Sequence, residues 1–330
     1  MTGVKPARPA PETDPARSER DTMTEILTDT STGYIAQRLV RVHETTAQTT
    51  GRVLTLIVLA GADENLKSVI GTVKDASREH PSRVLVLLDA AHGRPLPDGK
   101  DSCIDAEIHV GGDAGASELV VIRMNGEVAE HPASVVTPLL LPDTPIVCWW
   151  PSAAPADPAA TKVGRIAQRR IVDSRCSGHE DALAVQREHY SPGDSDLAWA
   201  RITLWRAIVA STLDQPPHHD ITEAHISGPA GSSSVDLAAG WLADRLRVPV
   251  TRETHTGHGI RLAMTRADGE LVIDQRSLDT VEVDVPGAAK QLVALNERSQ
   301  ADCLSEELRH LDPDDAYAGA LDGIRRLNWA

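Results

Sequence analysis

Two apolar runs, "LTLIVLA" at residues 54–60 and "RVLVLL" at 83–88, constrain this chain more than any other feature. Neither alternates apolar with polar residues, as a strand with one wet face would. Each therefore predicts a strand covered on both sides, the pattern of a parallel sheet between helices. Between them, "ADENLKSVIGTVKDASREH" places Leu66, Val69, Ile70 and Val73 on one helical face. Strand, helix, strand in that order predicts a parallel pair joined by a right-handed crossover. Upstream, "DTSTGYIAQRLVRVHETTAQTT" opens with capping residues and predicts a helix running to about Thr49. Downstream come strand candidates at "DAEIHVGG" and "ELVVIRMNG", then a helix around "HPASVVTPLL". The expected fold class is α/β. An N-terminal layered α/β domain with a mostly parallel sheet, residues 23–155, is followed by a C-terminal α+β domain, residues 176–330.

The next strand ends in "TPIVCWWPS", two adjacent tryptophans in a chain with no phenylalanine and 3% aromatic residues. Successive strand side chains point to opposite faces, so the two rings part company. Trp149 is expected in the core. Trp150 and Pro151 are expected to lead the chain out to a contact surface, the alternative being that both rings fill the gap between the two domains. A Pro/Ala-rich linker and basic segment over residues 156–175 follows, and a short helix at "RIAQRRIVDS" would put Arg165 and Arg169 on one face beside Arg170. Guanidinium forks suit bidentate contacts with carboxylate or phosphate.

A longer helix is expected over "DSDLAWARITLWRAIVAST", with Trp199 and Arg206 along one side and Trp205 between two apolar stripes. Buried Arg201 or Arg206 would need a carboxylate, and Asp194 and Asp196 are close in sequence. Trp149, Trp150, Arg165, Arg169, Arg170, Trp199, Trp205 and Arg206 form the candidate partner-contact set, because tryptophan and arginine dominate binding hot spots. Beyond them the pattern reads strand "ITEAHISG", helix "SSVDLAAGWLADRLR", and strands "PVTRETH", "GIRLAMT", "ELVIDQ" and "TVEVDV". Three helices are then expected to start near Pro286, Asp302 and Pro313.

Charge narrows the partners. A net charge of −15 repels phosphate backbones and anionic lipid, so neither nucleic acid nor membrane is expected. No apolar run approaches the ~20 residues of a membrane helix. Residues 1–22, rich in proline and charge, read as a disordered tail. Cys103, Cys148, Cys176 and Cys303 are far apart, which suits reduced thiols in the cytoplasm.

"GRVLTLIV", "HPSRVLVLL", "CWWP", "GRIAQRRIVDS", "DLAWARITLWR" and "WLADRL" occur in that order from about Asp29 onward. On these stretches the chain resembles the OpcA family of glucose-6-phosphate dehydrogenase assembly proteins of actinobacteria and cyanobacteria. The resemblance implies a non-catalytic cytoplasmic factor, without a cofactor, that binds glucose-6-phosphate dehydrogenase and promotes its assembly or activity. That enzyme opens the oxidative pentose phosphate pathway.

Some residues offer a rival. Gly228, Gly231, Ser232, Ser233 and Ser234 join a strand to a helix, and exposed N–H groups there would cradle an anion. The alternative function is a sugar-phosphate-binding or hydrolytic enzyme using this turn. The turn has no G-x-G-x-x-G spacing and no P-loop lysine, and Ser233 or Ser234 as a simple N-cap explains the same letters. His255 and His258 would face each other across a tight hairpin turn, too few ligands for a zinc site, and no metal is expected. Cys176 and His179 lack a third orienting group.

Overall fold

The computed structural model describes residues 23–45, 53–61, 64–88, 96, 99–110 and 118–330. The tail expected at 1–22, and the helix end expected beyond Thr45, lie outside them. The first half runs β1 (Met23–Thr30), α1 (Thr32–Thr45), β2 (Leu54–Ala60), α2 (Leu66–Ala76), β3 (Ser82–Leu88), β4 (Ser102–Val110) and β5 (Glu118–Gly126). It continues through α3 (Pro132–Val136), β6 (Ile146–Trp149), β7 (Arg169–Val172), α4 (Ala182–His189) and β8 (Asp194–Asp196). These strands form one eight-stranded sheet in the order β1-β4-β5-β3-β2-β6-β7-β8. From β5 to β8 every neighbouring pair is parallel, and β4 is antiparallel to both β1 and β5.

Both faces of this sheet are covered, and strand alternation sorts residues between them. Leu54, Leu56, Val58, Val84, Val86 and Trp149 pack with α2, while Ile57, Leu85, Leu87, Cys148 and Trp150 pack with α1 and α3. The two tryptophans therefore do part company, yet both rings are buried, Trp149 fully and Trp150 to 7% exposure. Trp150 does not lead to an open surface, because the chain after it folds back and adds Ala154, Val163 and Ala167 to the same cluster.

The second half comprises α5 (Leu197–Arg201), α6 (Thr203–Leu213), β9 (Ile221–Gly228), α7 (Ser233–Leu246), β10 (Val250–Thr254), β11 (Arg261–Arg266), β12 (Gly269–Gln275), β13 (Thr280–Asp284) and β14 (Gln291–Ala294). It ends with α8 (Gln300–Arg309), α9 (Asp315–Gly323) and β15 (Asn328–Trp329). The strands make a seven-stranded mixed sheet, β14-β13-β12-β11-β9-β10-β15. Helices α6, α7 and α9 bury Trp205, Val209, Leu237, Leu242 and Leu321 against Ile226, Leu262, Met264 and Ile273 of that sheet.

Local expectations failed where tertiary contacts intervene. The stretch expected as a basic helix is a single 3-10 turn at Gly164–Ile166 followed by the buried strand β7. Arg165 and Arg169 thus share no helical face. The first sheet also continues past residue 155 to Asp196, so residues 156–175 contribute a strand to it. The helix expected from Asp194 begins with a strand and breaks at Ile202 (φ −93°, ψ 7°) into α5 and α6. β14 follows Pro286 where a helix was expected. β10 and β11 are not a hairpin, because β9 lies between them, so His255 and His258 do not face each other across a two-strand turn.

The halves are not independent. Helix α8 places Cys303, Leu304 and Leu308 in the cluster formed by α2 and the first sheet. Helix α5 serves both halves, giving Leu197 and Ala200 to the first sheet's core and Ala198 and Trp199 to the second.

Cys103, Cys148 and Cys303 are buried, and Cys176 is exposed. Burial pushes the Cys148 thiol up to about 12 and that of Cys303 up to about 11. The Cys176 thiol is also raised, first by partial burial and then by Asp173. Thiolate, not thiol, is the nucleophile. The native protein should therefore react with an aromatic disulfide reagent at Cys176 alone, slowly, and at all four cysteines after denaturation. Rapid reaction of a second thiol in the folded protein, located by peptide mass spectrometry, would contradict this burial.

Candidate partner-contact site

Helix α5 starts where it does because Asp196 caps it, accepting from the Ala198 N–H at 2.7 Å. The same buried carboxylate also accepts from the Ser174 N–H and from Gln186 Nε2, which ties the end of β8 to the β7 loop and α4. Burial still holds the Asp196 carboxyl above its ordinary range. One turn into α5, the Trp199 indole N–H donates to Asp314 at 2.8 Å. Asp314 in turn caps α9 through the Ala316 and Tyr317 N–H groups.

Across the α5–α6 break, the Arg206 guanidinium lies 3.5 Å from the centroid of the Trp199 ring. It donates to Thr203 Oγ1 at 3.1 Å. Among the described residues no carboxylate lies within ion-pairing distance of Arg206, so neither Asp194 nor Asp196 serves it. Desolvation draws its guanidinium down to about 10, against the pull of Asp314 and Glu307. A cation over an indole face is stabilised without a counter-ion by the ring's quadrupole. Arg201 takes Asp173 in a fork, at 3.2 and 2.8 Å.

Arg169 is 1% exposed. Its Nη1 donates to the Asp312 carbonyl at 3.0 Å, and its Nη2 donates to Glu307, which also accepts from Ser195. Alternation along β7 sends Arg170 to the opposite face, where it donates to Asp194 at 2.5 Å and to the Ala167 and Pro192 carbonyls. Arg165 is exposed, and Trp205 is enclosed by the second core in a T-shaped contact with Trp241.

The structure thus brings Arg169, Trp199 and Arg206 of the sequence-derived set to one surface pocket of about 300 Å³, shared with Glu306, Glu307, His310, Asp312, Asp314 and Asp315. It leaves Trp149, Trp150, Arg165, Arg170 and Trp205 elsewhere. Sequence reasoning missed Glu307. The available signal was an acid three residues after Leu304 and four after Cys303, hence on the buried side of an amphipathic helix.

The Gly/Ser turn is held from within. Ser232, not Ser233 or Ser234, is the N-cap of α7, and it makes no side-chain capping bond. The Ser234 hydroxyl donates to the Ala198 carbonyl at 2.9 Å. Buried Arg252 donates to the carbonyls of Gly228 and Pro229 and pairs with Asp236 at 2.7 Å. Among the described residues no group of three or more His, Cys, Asp or Glu side chains could hold a metal ion. None of the described helices is long and apolar enough to cross a membrane.

Among solved structures, the chain resembles biliverdin reductase of Synechocystis at 9% identity, covering 82% of this chain and 96% of that one with a TM-score of 0.39. It also resembles GenD2 of gentamicin A biosynthesis at 12% identity, covering 86% and 95%, with a TM-score of 0.37. At these scores neither likeness bears on what this protein does. In sequence, 150 residues are 27% identical to a Synechocystis protein with the provisional name OxPP cycle protein OpcA. The match covers 42% of this chain and 32% of that relative, about a third of the relative's length. Residues 73–188 match the family described as glucose-6-phosphate dehydrogenase subunit N-terminal domain, and residues 192–321 match the corresponding C-terminal domain. With both domains matched in order, and with the relative of the same name, the chain belongs to the OpcA family.

Proposed function

We propose that this protein is a non-catalytic partner of glucose-6-phosphate dehydrogenase, acting in the cytoplasm in the oxidative pentose phosphate pathway, where it binds the enzyme and favours its active oligomer. The observation that carries this reading is that both halves of the chain match domains named for a subunit of that enzyme. The buried acids and arginines support a scaffold. Asp173, Asp194, Asp196 and Glu307 each hold a strand or helix end to another element. To activate, the protein must bind the productive state of the dehydrogenase more tightly than its alternatives, since equal affinity shifts nothing.

The Trp199–Arg206 pocket is the favoured docking point. Glu306, Asp312, Asp314 and Asp315 give it an acidic lining beside an indole edge. In a chain of net charge −15, the complementary group is a lysine or arginine of the dehydrogenase. Co-purification with the cognate dehydrogenase, followed by its assay with and without this protein, tests the reading. Asp312 is exposed, and its side chain bonds to nothing else among the described residues. Asp312→Lys should leave the melting temperature unchanged and weaken dehydrogenase binding at least tenfold, about 1.4 kcal/mol. Full binding by that variant moves the docking point elsewhere. Turnover of glucose 6-phosphate or its lactone by the stringently purified protein would overturn the non-catalytic reading.

A further inference from the structure

The connection from β2 to β3 passes over one face of the first sheet, through α2. The connection from β6 to β7 passes over the other, placing Val163 and Ala167 against the α1 side. Since β2 and β6 are adjacent and parallel, their carboxyl ends form a topological switch point. Crevices of this kind are where open α/β sheets bind ligands. A cavity of about 650 Å³ lies there, within the ~300–1,000 Å³ of small-molecule sites.

Its walls are mainly apolar, including Leu87, Met124 and Trp150, with a few polar groups. Among the described residues the Trp150 indole N–H and the Ser152 hydroxyl have no hydrogen-bond partner. Lys162, at the mouth, donates to the Glu130 carbonyl at 3.1 Å and lies 3.5 Å from His131 Nδ1, and among the described residues it forms no ion pair. Among the described residues the Glu130 carboxylate is the one acid in the lining. Ala153 also lines the cavity and holds a left-handed backbone, φ +44°, a strained state for an alanine that recurs at ligand sites.

We infer that this cavity binds a mononucleotide-sized ligand, a flat heterocycle carrying a single phosphate. The ring enters the apolar interior, where the indole N–H and Ser152 donate to its acceptors. The phosphate stays at the mouth with Lys162. A dinucleotide is disfavoured, because "GADENLK" after β2 lacks the glycines that let a pyrophosphate approach a helix end. The inference concerns the isolated chain and does not rest on the dehydrogenase reading.

Calorimetry and tryptophan fluorescence of the full chain with AMP, GMP, CMP and UMP, adenosine and inorganic phosphate test it. At least one monophosphate should bind with a submillimolar Kd, more tightly than adenosine or phosphate alone. Lys162→Glu should weaken that binding at least tenfold without lowering the melting temperature or changing adenosine binding. Trp150→Phe, which keeps the ring volume nearest to native but removes the N–H, should weaken monophosphate and adenosine alike. Failure of all four monophosphates to bind at millimolar concentration overturns the inference. So does binding that neither substitution alters.

Discussion

Replacing Arg169 with alanine should destabilise the protein by about 3–5 kcal/mol, the range for breaking a buried ion pair from one side. The substitution leaves Glu307, 5% exposed and on α8, without its cation, and removes the donor to the Asp312 carbonyl. It therefore loosens the strap that ties α8 and the α9 approach to β7. Denaturant unfolding checks the magnitude. The double variant Arg169→Met/Glu307→Leu should recover much of the loss, because two apolar groups need no counter-charge. A single-variant cost below about 1 kcal/mol would mean that water replaces the guanidinium and that the pair is not dry.

The pH dependence of that penalty has a definite sign. Burial holds the Glu307 carboxyl above the ordinary range, against the opposing pull of Arg169 and Ser195. A carboxyl raised in the folded state contributes its stability below its unfolded value and loses it as pH rises through the folded value. Without Arg169 that rise is larger, since the opposing cation is gone. The penalty of the alanine variant should accordingly shrink on acidification toward the folded-state titration. A penalty that grows in acid would show that Glu307 is not the group left stranded.

The second large effect should come from Gly240→Ala. Gly240 on α7 and Gly323 at the end of α9 mark a backbone-to-backbone crossing. A Cβ on Gly240 would lie 2.1 Å from the Ala320 carbonyl oxygen, and one on Gly323 would lie 2.0 Å from the Gly240 oxygen. Neither obstacle is a side chain that can swing away, so the helices must separate. The expected cost is near the top of the overpacking range, about 3 kcal/mol. Gly71→Ala in α2 is the control, because a Cβ there meets nothing within 4 Å. It should stabilise by about 0.5–1 kcal/mol through helix propensity. The same chemical change thus has opposite signs at two helical glycines, and thermal melts of the two variants suffice to compare them. If Gly240→Ala melts like the native protein, the two helices are not in van der Waals contact.

The parts of the fold that were legible are those in which burial and period agree. β2, α2 and β3 are an apolar run, an amphipathic helix and an apolar run, and each local preference matches its final surroundings. The opposite facing of Trp149 and Trp150 was readable for the same reason, since a strand's period of two does not depend on what lies outside it. The burial of both rings was not readable, because it depends on residues 154–167 returning over the sheet. The basic segment failed in the same way. "RIAQRRIVD" has a helix-like letter pattern, and only the pairing of β7 between β6 and β8 makes it a strand.

The candidate site divides along the same line. Sequence alone determined the covered parallel core, the aromatic and arginine residues of interest, and the six stretches that carry the family resemblance, because composition and short-range period are local quantities. Only the tertiary structure decided what those residues do for one another. Arg169 meets Glu307 across 138 residues of chain and Trp199 meets Asp314 across 115. Arg206 rests on an indole instead of a carboxylate. A buried charge takes whichever partner the packing brings to it, and that choice depends on how α8 and α9 return to the first sheet, which no window of neighbouring residues contains.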